Sequence, residues 1–313
     1  MRLRATAFAP LAAAWLLACS GSDPAAPSEA ATATASDAPP VDPAPAAAAA
    51  GTTAGPAAPA MMPGGPDAST APTAPSPPAA LACLAQLYGG APVAMKGSPG
   101  GWALRLPDAT ELEWDDATTK TYDEKLATPD LEDTLAMPYP TGMIKAVSTL
   151  NDDAGRIRSD ALFKTTFGAT SAAVQQHLVP VDFVGQTVTI HSRAAAALTK
   201  VSTHLKQLVA QTPSLNAYVT GTLGGTFEWR PIANTNRLSA HSYGIAIDIV
   251  VSKSNYWEWE KNGSGAFVWT NEIPQAVVDA FEAEGFAWGG RWYHYDTMHF
   301  EYRPELFAAA CKP

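Results

Sequence analysis

Two stretches of this chain set histidines and carboxylates at spacings that can do chemistry. The first runs from His241 through Gly244 to Asp248 and Ile249. From Gly244 onward its residues alternate as in a half-buried strand, with Ile245, Ile247 and Ile249 towards a core and Gly244, Ala246 and Asp248 on the other face. That second face leaves room beside a carboxylate, and a turn at the glycine would bring the His241 imidazole over it. The second stretch, Asp296 to Glu301, turns Met298 and Phe300 to the core and His299 and Glu301 to the same site. Two imidazoles and one carboxylate are the three nitrogen and oxygen ligands that a catalytic zinc takes while a fourth position stays open for water. Asp296, three residues before His299, is placed to take a proton from that water. A lone His–Asp pair on a strand is more often a hydrogen-bonded polar pair; the presence of both stretches in one chain favours the metal.

Strands must carry these residues, and helices must back the strands. Leu198, Val201, Leu205 and Leu208 recur at helical spacing after Ser192, which reads as the helix cap. A second helix is expected from Pro274 to Gly285, with Val277, Val278 and Phe281 as its buried side. Trp102–Leu106 and Glu111–Asp115 alternate around a turn-prone Pro107-Asp108, which predicts a hairpin. The fold class is α+β: an antiparallel sheet carrying the site, with helices packed on its other face. Acidic residues at 123–133 read as a solvated face, and His177, His191 and His204 as surface or locally hydrogen-bonded histidines.

The motifs resemble a known family. Leu238-Ser-Ala-His241-Ser-Tyr243-Gly-Ile-Ala-Ile-Asp248, followed by Asp296-Thr-Met-His299-Phe-Glu301, is similar to the zinc peptidases that include the D-Ala-D-Ala peptidases and the L-alanyl-D-glutamate endopeptidases, with a hedgehog/DD-peptidase-like fold. Arg230-Pro-Ile, Asn255-Tyr256 and Trp288-Gly-Gly-Arg-Trp292 bring it closer to the endopeptidase branch. The resemblance implies zinc held by His241, Asp248 and His299, with Asp296 as the general base, where many relatives carry a longer Glu. An upstream arginine would steady the oxyanion; Arg230 is the candidate, and Arg237 is not separated from it. Ser239 would hold a ligand from behind, His294 would relay a proton or touch substrate, and Tyr243 and Trp292 would wall a groove or fill the core. Arg156 and Arg158 either hold a substrate carboxylate or fix their own loop through neighbouring aspartates.

The start of the chain is of another kind. Arg2 and Arg4, an apolar run and Leu16-Leu17-Ala18-Cys19 read as an export signal over 1–19, too short to span a bilayer as a stable helix. Its end resembles a lipobox, which implies lipidation of Cys19 and an N-terminal membrane anchor; no aspartate stands directly after Cys19 or Ser20 to favour inner-membrane retention, so the outer membrane is preferred. Residues 20–81, rich in Ala, Pro and Thr, should be a disordered tether. An N-terminal appendage with a hairpin is expected over 82–137 and the peptidase domain over 138–313. With Cys19 lipidated, Cys83 and Cys311 remain to pair in an oxidising periplasm. The formal net charge of −10 and the lack of a basic stripe argue against nucleic acid. The function expected is zinc-dependent hydrolysis of peptidoglycan stem peptides of the L-alanyl-D-glutamate type. A D-Ala-D-Ala carboxypeptidase and a non-catalytic zinc-containing wall-binding lipoprotein are the alternatives. Peptidoglycan is the partner, and no protein partner is implied.

Overall fold

A computed structural model of the chain describes residues 76–95, 97, 101–233 and 235–312. The export segment with Cys19, and the tether up to residue 75, lie outside the described residues. Ala79, Ala80 and Leu81, read with the tether, instead open the helix Ala79–Tyr88, whose Leu81 and Leu84 are fully buried.

Among the described residues nine strands form three antiparallel sheets. The first joins β1 (Ala91–Ala94), β2 (Trp102–Arg105) and β3 (Glu111–Glu113), and the second is the hairpin of β4 (Leu178–Phe183) and β5 (Gln186–His191). The third carries the chemistry-bearing residues. It comprises β6 (Leu223–Gly225), β7 (Ala246–Val250), β8 (Phe286–Trp288) and β9 (His299–Tyr302), in the order β6-β7-β9-β8. Its register sets Asp248 directly opposite His299, and Ala246 opposite Glu301.

Two apolar clusters hold this sheet. In one, Ile247 and Ile249 of β7 and Phe300 of β9 meet Leu198, Val201 and Leu205 of the helix Ser192–Gln211 and Val277, Val278 and Phe281 of the helix Gln275–Glu282. The Phe281 and Phe300 rings stack with centroids 3.9 Å apart, which fixes that second helix on β9. Burying each such side chain contributes about 1.5–3 kcal/mol. In the other cluster, Leu84, Leu104, Trp114, Leu131 and Tyr139 pack with Phe163, Tyr243, Ile245 and Leu306. Residues 82–137 thus share a core with the segments around the sheet.

Three local readings change. His191, not Ser192, caps the long helix: its Nδ1 accepts the Arg193 N–H at 3.2 Å. Burial, reinforced by His177, pushes the His191 imidazole down to about 4, so it stays neutral and keeps the lone pair this cap requires. Pro274 caps the next helix rather than starting it. The acidic residues near 130 are not simply solvated: Lys120, almost wholly buried, sits 2.9, 3.0 and 2.8 Å from Asp116, Asp130 and Asp133 and supplies the cation they need.

Cys83 and Cys311 form a disulfide across 228 residues, joining the helix Ala79–Tyr88 to the last described turn. Replacing both cysteines by serine should lower unfolding stability by about 2–5 kcal/mol, because the unfolded chain regains the freedom of a very long loop. Chemical denaturation of the oxidised chain against the double variant measures it, and an unchanged midpoint would contradict it.

Candidate metal centre and its cleft

Each member of the His–Asp–His set is placed by a separate local cause. His241 lies in a short helical turn, Ala240–Tyr243, whose entry Ser239 caps by accepting the His241 N–H. The turn ends at Gly244 with φ 64°, a left-handed conformation that favours glycine, and a Cβ there would also press on Leu178 Cδ2 at 2.6 Å. Asp248 and His299 face each other across β7 and β9. Gly224 on β6 leaves room for Asp248, since a Cβ on it would lie 2.6 Å from that of the aspartate.

The three side chains meet. His241 Nε2 lies 3.1 Å from His299 Nδ1 and 3.1 Å from Asp248 Oδ1, and His299 Nδ1 lies 3.0 Å from the same oxygen. What stands behind them decides what they offer. His241 Nδ1 is 2.7 Å from the Thr226 carbonyl oxygen, which only accepts, so Nδ1 holds the hydrogen and Nε2 presents a lone pair. His299 Nε2 is 3.3 Å from Glu301 Oε2, which turns its hydrogen away and leaves Nδ1 facing inward. Two imidazole lone pairs and a carboxylate oxygen within about 3 Å repel one another unless a cation or a proton sits among them. The residues therefore fit a divalent metal ion.

Without metal, a proton takes that place. Burial pulls the His299 pKa down, but hydrogen bonds to Asp248 and Glu301 outweigh it and push it up to about 10. Glu301 is fully buried, yet His299, Arg158 and Arg303 hold it well below the ordinary carboxylate range. Asp248 is depressed likewise by His241 and His299 against the cost of its burial.

These residues line a 280 Å³ cleft together with Asp296, His294, Trp292, Arg156, Arg158 and Arg230. Asp296 Oδ1 is inaccessible and has no hydrogen-bond partner among the described residues. Burial, with the nearby charge of Asp248, pushes its carboxyl up to about 7. Trp292 donates its indole N–H to the Ala154 carbonyl at 2.7 Å and presents its ring 5.8 Å from that of His299. Arg230 pairs with Glu228 at 2.9 Å and its side chain is 41% exposed. Arg237 is not among the cleft-lining residues; it donates to the Arg156 carbonyl, and burial with its arginine neighbours lowers its pKa to about 10. Arg156 bonds Asp153 and Arg158 donates to the Leu238 carbonyl, so both fix loops while still facing the cleft.

Of the two places open to Tyr243, groove wall or core, the structure takes the core. Its ring is fully buried against Phe163 at 5.4 Å, because it lies on the inner side of the turn that aims His241 outward. Conversely, Trp257 lines the cleft and Thr226 stands behind His241, and the sequence reading singled out neither. Thr226 carried no usable signal, since its carbonyl rather than its side chain matters.

Residues 233–302 match the family model described as D-alanyl-D-alanine carboxypeptidase. That match supports the metallopeptidase family, and the matched span contains the whole His–Asp–His set with Asp296. None of the curated proteins compared matches the chain.

The His299 proton gives a signed prediction. In the metal-free chain its stabilising contribution is complete below the unfolded value near 6.5 and is lost as pH rises through about 10. A metal ion must displace it at neutral pH, so zinc affinity should rise about tenfold per pH unit between pH 6 and 8. Competition with a chelator of known pH dependence measures this; a flat profile would contradict it. His241→Ala should abolish tight binding at every pH.

Proposed function

We propose that this chain is a zinc-dependent peptidase of peptidoglycan stem peptides, cutting as the L-alanyl-D-glutamate endopeptidases do. The observation that carries the reading is the convergence of His241, Asp248 and His299 in one cleft with Asp296, whose carboxylate Oδ1 is inaccessible and without a hydrogen-bond partner among the described residues. An inaccessible carboxylate oxygen left without a partner is costly to keep, and a module that merely held the wall would gain nothing from it. Zinc, when bound by the three ligands, would act as a Lewis acid that polarises the scissile carbonyl and makes water a better nucleophile. Asp296 takes a proton from the attacking water and returns it to the leaving amine. Thr226, Ser239 and Glu301 hold the ligands in the required orientation and tautomer. Arg230 borders the cleft and is the candidate among the arginines for steadying the oxyanion.

A D-Ala-D-Ala carboxypeptidase is the second reading, favoured by the description of the matched family model. The substrate lies outside the cytoplasm, and the reading places the chain in the bacterial envelope as a lipoprotein anchored through Cys19, with the outer membrane preferred.

Zinc-loaded protein incubated with purified cell wall separates the readings by mass spectrometry. New amino-terminal glutamate is the expected result, released D-alanine would mean carboxypeptidase, and neither product with zinc bound would mean a binding module. Asp296→Asn should keep zinc and lower turnover about 10²–10⁴-fold; loss of zinc as well would contradict its role as base. Because Asp296 must be ionised to accept a proton, kcat/KM should fall as pH drops below about 7, with a bound cation shifting that limb to lower pH.

A further inference from the structure

The segment that follows β7 brings an aromatic side chain to the metal cleft on a fixed backbone. Asn255 N–H donates to Thr297 Oγ1 at 2.7 Å, and the Thr297 N–H donates to the Asn255 carbonyl at 2.9 Å. The Trp257 N–H donates to the Tyr295 carbonyl at 3.0 Å, so Tyr256 is bridged to Asp296 between these bonds. The Trp259 N–H then turns back onto the Tyr256 carbonyl at 2.9 Å. Tyr256, Trp257 and Trp259 all line the cleft, but they are not equivalent. Trp257 is covered: Lys261 Nζ sits 3.8 Å over its ring, and Phe267 and His294 pack against it at 5.4 and 4.7 Å. Trp259 meets one aromatic neighbour among the described residues, Tyr256, at 5.6 Å and nearly perpendicular, and it is 58% exposed. Its indole N–H makes no hydrogen bond among the described residues, whereas Trp292 in the same cleft gives its own to Ala154. Isolated exposed apolar side chains are ordinary on a protein surface. Of the four large ones among the described residues, however, Trp259 alone lines the cleft. An alkyl group would use its ring and leave the N–H bare. A pyranose carrying an acetamido group uses both, with C–H groups on the indole and an oxygen on its donor.

We propose that Trp259 is a specificity-determining residue that stacks on the N-acetylated amino sugar bearing the stem peptide, so that the chain favours stems still attached to glycan over free stem peptides. The inference rests on the peptidase reading above and deepens it. In an L-alanyl-D-glutamate cut the attacked carbonyl belongs to the alanine whose nitrogen is joined, through a lactyl group, to that sugar. The sugar therefore comes close to the metal, within reach of a ring that lines its cleft. In a D-Ala-D-Ala cut the sugar lies at the opposite end of the stem and gains nothing from Trp259.

Two substrates with one peptide sequence test this on the zinc-loaded full chain: a stem carrying its N-acetylmuramyl sugar, and the same stem with only an acetyl cap on alanine. The wild type should cut the sugar-bearing stem with kcat/KM about 3–10-fold higher. Trp259→Ala should bring that ratio to about one by loss on the sugar-bearing stem, and Trp259→Phe, which keeps a ring without the donor, should fall between. A ratio of one in the wild type, or a ratio unaltered in Trp259→Ala, overturns the proposal while leaving the peptidase reading in place. A measurement that needs no change at Trp259 covers a variant that does not fold. Saturation-transfer NMR on zinc-loaded Asp296→Asn with the uncut sugar-bearing stem should show magnetisation passing from the protein to the sugar ring protons. Transfer to the peptide protons alone overturns the proposal. If the wild type cuts neither substrate, the peptidase reading falls and this inference falls with it.

Discussion

The antiparallel pairing of β7 with β9 is the constraint on which the site depends. It sets Asp248 opposite His299 and stacks Glu301 one pleat further along the same face, so two potential ligands and the group that orients one of them come from a single ladder. A slip of β9 by one residue would send His299 and Glu301 into the apolar cluster beneath and away from Asp248. That register is secured from the other face, where Ile247, Ile249 and Phe300 are fully buried against two helices. The site is precise because the core behind it is.

Charge burial is the cost of this arrangement, and a relay of ion pairs offsets it. Glu301, beside His299, is 2.9 Å from Arg303 Nη1, and the Arg303 Nε donates to Glu305. Glu305 in turn accepts from the Tyr88 hydroxyl at 2.7 Å, and Tyr88 ends the helix that carries Cys83. The orientation of a candidate ligand is thereby joined to the N-terminal helix, which the disulfide ties to the end of the chain. Removing one partner from such a buried pair costs about 3–5 kcal/mol, since the other charge is left stranded. The fully buried Arg303 is better understood as the neutralising cation of the site than as a generic core residue.

Much of this was legible in the letters, and the reason is periodicity. Alternation alone put Asp248 on the face opposite Ile247 and Ile249, and His299 with Glu301; the small residues read as keeping space do not, since Ala246 packs in an apolar cluster with Ile245 and Gly244 closes a turn against Leu178. Beyond the cysteine pair and the His–Asp–His set, long-range partners were not legible. Nothing near His294 names Asp153, which is 141 positions away, and nothing near Glu305 names Tyr88, 217 positions away. A two-residue repeat tells which way a side chain points, but not which distant segment arrives to meet it. Tyr243 stayed open between groove and core for a related reason: in a helical turn, neighbouring residues diverge, so proximity in sequence to His241 implied nothing about sharing its cleft.

The central claim is that two imidazoles and one carboxylate from β7, β9 and the turn before them bind a single zinc ion with one position left over. X-ray absorption at the zinc edge of the loaded chain reads this directly. The account predicts a four-coordinate centre with two imidazole nitrogens and two oxygens at about 2.0–2.1 Å, and loss of one imidazole in His299→Ala. A sulfur shell, or six oxygens without imidazole scattering, would contradict it.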